Sequence, residues 1–173
     1  MVVDKTNHQY LSQNLIDTLI LAEDKRYLSH LGFDPIAVIR AIWSLLIKHK
    51  LQGASTIEQQ FIRTITRRYE LTLSRKLREI LLAFIISASF QKNQIARAYL
   101  CVAYFGWHMN GIKQACRRLS VNPETATVAQ ASQIIARLKY PEPRETSSKR
   151  LKQIQDRAAY ILELHSVSNN KHE

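Results

Sequence analysis

The chain has 173 residues, enough for one well-buried core and too few for two ordinary domains. Apolar residues make up 46% against only 4 Gly and 4 Pro, a balance that suits packed helices and argues against a disordered chain. A net charge of +11 and a pI near 9.9 favour polyanionic partners: nucleic acid, anionic lipid headgroups or pyrophosphate-bearing molecules.

Residues 1–11 are polar and predict an extended lead-in, without the apolar core or cleavage site of a signal peptide. Ser12 or Asn14 is the expected cap of a first helix with the apolar pattern Leu15, Ile16, Leu19, Ile20, running to about His30 and stopped by Gly32. Its end carries Glu23 and Asp24, followed by Lys25, Arg26 and Tyr27. Asp34-Pro35 restarts a helix, Asp as N-cap and Pro at the first helical position.

This second helix, to about His49, is apolar on nearly every side, broken only by Arg40 and Ser44 and ending in Lys48 and Lys50. It suits a central core position slightly better than the alternative, an apolar side pressed onto a membrane while the lysines meet anionic headgroups. Its apolar run, Ile36 to Ile47, is too short to span a bilayer.

Gly53-Ala54-Ser55 reads as a loop, and Ser55-Thr56-Ile57-Glu58 as a capping box that explains the Glu58 carboxylate and opens a third helix with Arg63, Arg67 and Arg68. Ser74 is the expected cap of a fourth helix whose stripe is Leu77, Ile80, Leu81, Phe84, Ile85, with Arg75, Lys76 and Glu79 off that stripe. Asn93 should cap a fifth helix, followed by an aromatic turn at Tyr104 to Trp107 and a short basic helix ending at Arg118. Thr127 caps the next, to Leu138; the last runs from about Ser147 to Leu164, and the tail from 166 should fray. With no internal repeat and almost no strand signal, the expectation is one all-α domain over residues 1–173.

Cys101 and Cys116 lie in helical patterns and read as buried small hydrophobes. The six histidines form no paired motif, so no structural metal is predicted. Taken alone, Glu23 and Asp24 are an ordinary surface ion pair with Lys25 or Arg26. Arg75, Lys76 and Glu79 likewise read as i,i+4 and i,i+3 pairs worth about 0.3–0.5 kcal/mol each.

The order of these segments changes that reading. Glu23-Asp24-Lys25-Arg26-Tyr27, then His30, Gly32-Phe33-Asp34-Pro35 and Arg40-Ala41, resembles the first motif of the family 51 glycosyltransferases, the peptidoglycan transglycosylases. Gly53 to Gln60 resembles their second motif, Arg75 to Glu79 the third, and Ile95 to Gly106, with Tyr99-Leu100 and Tyr104-Phe105-Gly106, the fourth. Glu58, Arg63, Thr64, Cys101 and Ala54 depart from the family pattern, which more often has Thr, Lys, Asn, Asn and Gly there.

The resemblance implies a lysozyme-like helical domain with a membrane-proximal apolar subdomain, polymerising lipid II by inverting transfer. It implies Glu23 as general base and Glu79 as the second carboxylate across the same cleft. Asp24, Tyr27, Ser55, Thr56, Gln60, Arg63, Arg75 and Lys76 are the substrate-binding candidates, the cations and the free N–H groups opening the third helix serving the pyrophosphate. No cofactor is required by this chemistry, though Mg²⁺ or Mn²⁺ at the pyrophosphate is compatible with it. The implied partners are a lipid-linked sugar, a membrane surface and a possible protein partner, at the outer face of the bacterial inner membrane. The alternative is a catalytically silent copy that binds a glycan, a lipid-linked precursor or a protein. A nucleic-acid-binding protein ranks last, because it explains neither carboxylate.

Overall fold

The computed structural model describes residues 11–48, 53–70, 72–145 and 147–169. The chain runs α1 (Gln13–Glu23), a 3₁₀ turn (Tyr27–Ser29), α2 (Pro35–Lys48), α3 (Ile57–Thr66), α4 (Leu73–Ser89) and α5 (Lys92–Val102). A hairpin of β1 (Tyr104–Gly106) and β2 (Met109–Asn110) follows, then α6 (Ile112–Arg118), α7 (Val128–Lys139) and α8 (Ser148–Asn169). The fold is all-α, and these two short antiparallel strands are the whole sheet among the described residues.

The core forms where α1 buries Leu15, Ile16 and Leu19 between α7, α8 and α5. Ile134, Ile135, Ile154, Ala158 and Ile161 of the last two helices and Ile95, Ala96 and Leu100 of α5 close around it. Each fully enclosed Ile or Leu contributes about 1.5–3 kcal/mol.

Several helix ends differ from expectation. The first helix stops at Glu23, not near His30, because the Asp24 carboxylate is held by the His30 ring and the Ile57 N–H. Those bonds draw the backbone out of helical geometry, and Tyr27 and Ser29 continue as a 3₁₀ turn. Thr72, not Ser74, caps α4, and Gln91 with Gln94 forms the box at α5 in place of Asn93. Thr56 caps α3 by accepting from the Gln59 N–H, so Glu58 has no capping duty. Thr127 caps α7 as expected, and α8 continues five residues beyond Leu164, so Ser166 to Asn169 are helical. The lead-in over 1–10, Lys50 and the last four residues lie outside the described residues.

The larger correction concerns α2 and α4. α4 buries Glu79, Ala83, Ile86 and Ser87, while Leu77, Leu81, Phe84 and Ile85 are 49–68% exposed. α2 is not a central core helix either: Ile36, Ile39, Trp43, Leu46 and Ile47 are exposed, and among its described side chains the buried ones are Ala37 and Ser44. Periodicity reported a real stripe, but α4 meets α3 through its polar side, where Glu79 finds three cations.

Gly32 ties these parts together. It has φ +76°, a conformation that glycine alone adopts without cost, and an added Cβ would lie 2.5 Å from the Ala83 backbone of α4. Its carbonyl accepts from the Thr56 hydroxyl at 2.9 Å and the Gln59 amide at 3.0 Å. One residue thus pins the turn after α1 to both α3 and α4.

Candidate active site

Glu23 ends α1 at the wall of a cavity of about 550 Å³, also lined by Asp24, Ser55, Lys139, Arg157 and Tyr160. Its carboxylate accepts from the Gln60 amide at 3.2 Å and from Arg157 at 3.3 Å. Burial raises the proton affinity of Glu23 above that of an ordinary glutamate, against the opposing pull of Arg157, Gln60 and Lys139. Gln60 is itself aimed by the Tyr99 hydroxyl, which donates to its amide oxygen at 2.8 Å. A carboxylate so placed can hold or accept a proton at the cavity wall.

Glu79 is the centre of a second group. Arg63 grips it with two bonds, Nε at 3.1 Å and Nη2 at 2.9 Å, while Lys76 reaches it at 2.9 Å and Arg75 also pairs with it. Burial alone would raise its pKa, but hydrogen bonds from Arg63 and Lys76, with their charges, outweigh it and hold Glu79 low. Burial pushes the Lys76 ammonium down, while Glu79 holds Arg63 up. Three cations on one carboxylate leave two positive charges in excess, suited to a diphosphate.

These residues do not fit a resident Mg²⁺ or Mn²⁺ beside Glu79. Both carboxylate oxygens already accept from cations, which a divalent ion would have to displace against their repulsion.

Glu79 is not among the described residues that line the cavity beside Glu23, and it is 3% exposed; Ser55 links the two groups, lining that cavity while its hydroxyl accepts from both Arg63 and Lys76.

The other candidates fall into place around this pair. Asp24 lines the cavity, with its carboxylate against the His30 ring and the Ile57 N–H. Tyr27 is fully enclosed, its hydroxyl donating to the Lys92 carbonyl at 2.8 Å. Thr56 is 2% exposed and bonded to Gly32. The opening of α3 is partly occupied as well: Ile57 N–H serves Asp24 and Gln59 N–H serves Thr56.

Sequence reasoning missed Arg157, Lys139 and Tyr160. Arg157 donates to the Ala22 carbonyl at 2.8 Å as well as to Glu23, and its guanidinium stacks 5.5 Å from the Tyr160 ring centre. Its signal was faint: a basic residue on the flank of the stripe Ile154, Ala158, Ile161.

A helical, lysozyme-like domain with a carboxylate at a cavity and a cationic cradle nearby defines the class of glycosyl-transfer domains. The family described as Transglycosylase matches residues 3–165. Similar curated proteins include penicillin-binding protein 1A of Rickettsia prowazekii, 32% identical over 155 residues, 87% of this chain and 20% of the relative. Penicillin-binding protein 1A of Vibrio cholerae is 37% identical over 108 residues, 62% of this chain and 13% of the relative. Penicillin-binding protein 1B of Haemophilus influenzae is 38% identical over 93 residues, 53% and 12% respectively. The chain belongs to the transglycosylase family, glycosyltransferase family 51, and spans about a fifth or less of the length of these relatives.

Proposed function

We propose that the chain is a peptidoglycan glycosyltransferase that extends glycan strands from lipid II, a polyprenyl-diphosphate-linked disaccharide, with inversion at the donor carbon. The observation that carries this reading is the pairing of a proton-holding carboxylate, Glu23 at the cavity wall, with the cationic cluster on Glu79, joined through Ser55. Glu23 takes the proton of the acceptor hydroxyl as its oxygen attacks the anomeric carbon. The bond from that carbon to the diphosphate breaks, and Arg63, Arg75 and Lys76 receive the departing charge. Gln60 and Arg157 hold the Glu23 carboxylate; Tyr27, Asp24 and Thr56 hold the turn that presents it.

A lipid-borne substrate requires the domain to work at a membrane, and the reading places it at the outer face of the bacterial inner membrane. Among the described residues no helix is long and apolar enough to cross a bilayer. The exposed apolar residues of α2 and α4 would instead dip into one leaflet, receiving the lipid tail. Nucleic acid is not a partner in this reading, and a protein partner is compatible with it.

The test is incubation of the chain with labelled lipid II in detergent, scored for polymer. Glu23→Gln should abolish polymer while a diphosphate-lipid analogue still binds, because Gln keeps the shape but cannot take the proton; the expected loss in turnover is about 10²–10⁴-fold. Polymer formation by Glu23→Gln at the wild-type rate would remove Glu23 from this role. No polymer from the wild type, with lipid and divalent cations varied, would replace the reading with a binding module for lipid-linked precursors.

A further inference from the structure

Asp24 is also a corner of a second, buried cluster. The His30 Nε2 lies 3.1 Å from each Asp24 oxygen, and Glu58, wholly enclosed, completes a trio whose ligand atoms all lie within 4.8 Å of one another. Lys92 places its ammonium on one Glu58 oxygen and 4.6 Å from the Tyr27 ring centre. Two buried atoms here have no hydrogen-bond partner in the protein: Nδ1 of His30 and Oε2 of Glu58.

Such orphans cost about 1–3 kcal/mol apiece, and a bound ion is one of the few things that explains them. The layout of the trio points the same way: Lys92 occupies one Glu58 oxygen and leaves the other free, while Asp24 faces the His30 ring, whose second nitrogen is unpartnered. One imidazole with two carboxylates, and no thiolate among them, is a donor set for zinc-class divalent ions. An ion reaches it from the cavity, whose wall Asp24 forms.

We propose that Asp24, His30 and Glu58 form a binding site for one divalent transition-metal ion of the zinc class. The three ligands come from the turn after α1, the exit of the 3₁₀ turn and the first turn of α3. The ion is therefore a staple across the segment that carries Glu23, not a participant in transfer. The absence of any paired histidine motif hid it from sequence reading, since each ligand comes singly from a separate segment. The proposal does not depend on lipid II being the substrate, and its test needs no activity.

The tag-free full chain, freed of metal by chelator, is titrated calorimetrically with Zn²⁺ and, separately, Mn²⁺, and its thermal midpoint is followed as each is added. The expected result is one Zn²⁺ per chain, with a midpoint that climbs with free Zn²⁺ as ligand linkage requires. Glu58→Gln and His30→Gln should each weaken binding about tenfold or more, since each removes one of three ligands. Lys92→Met should tighten it several-fold, because the competing ammonium is gone. X-ray absorption of the Zn²⁺-loaded wild type should show only nitrogen and oxygen neighbours at about 2.0–2.2 Å. Absence of saturable binding up to about 100 µM, a free energy near 5.5 kcal/mol, overturns the proposal. So do sulfur neighbours from Cys101 or Cys116, and affinity unchanged in both Glu58→Gln and His30→Gln, which would place the ion elsewhere.

Discussion

Arg157 shows how much of this site hangs on single side chains. Its guanidinium spans the Ala22 carbonyl and the Glu23 carboxylate, fixing both the end of α1 and the direction of the acid group. If Glu23 is the base as proposed, Arg157→Ala should lower turnover in the polymerisation assay by up to about 10²-fold, with affinity for a diphosphate-lipid analogue little changed, because displacing that carboxylate by an ångström still leaves the cations in place. Loss of analogue binding equal to the loss of turnover would instead make Arg157 part of the donor site. Glu79 is held below the usual carboxylate range, so its stabilising contribution is complete above its unfolded value of about 4.5 and lost as pH falls through the lower folded value. Glu79→Gln should cost about 1–3 kcal/mol near neutral pH by leaving three cations uncompensated. The gap between wild-type and variant thermal midpoints should narrow in acid; a gap constant with pH would contradict the assignment.

At the scale of the elements, Gly32 is the joint to test. Gly32→Ala should destabilise the chain by at least about 1–2 kcal/mol from backbone geometry alone, and by more once the methyl meets the Ala83 backbone. Thermal unfolding that matches the wild type would show that the turn can move off α4 freely. This scale also shows what a sequence can and cannot disclose. The Thr127 cap was legible because its bond to the Gln130 N–H lies within four residues. The end of α1 was not, because Asp24 is captured by Ile57, 33 positions away. The Leu77 to Ile85 stripe of α4 was legible as a period, yet period alone cannot say whether a stripe faces protein or solvent. Glu23 and Glu79 could be singled out through motif order, whereas Arg157 meets Glu23 across 134 positions with no motif to announce it.

For the whole molecule, the exposed apolar faces of α2 and α4 and the net charge of +11 make a joint statement. Neither alone distinguishes a membrane surface from other partners, but a lipid leaflet with anionic headgroups satisfies both. The chain should sediment with vesicles containing anionic phosphatidylglycerol, less so as salt is raised. Phe84→Glu on α4 should weaken that binding about tenfold with no loss of thermal stability, since the ring is 49% exposed. Equal binding by the variant would assign the attachment to charge alone.

The contact between α1 and α8 has a consequence in time. Glu23 is made early and its partner Arg157 in the last helix described, so a chain emerging from the ribosome completes the cationic cluster on Glu79 well before the acid group has its guanidinium. An unfinished chain would carry that cluster with the Glu23 carboxylate still unaimed. In the proposed reading, docking of α8 is thus the step that would turn a binder into a catalyst, and any event that loosens that one helix would silence transfer without emptying the site.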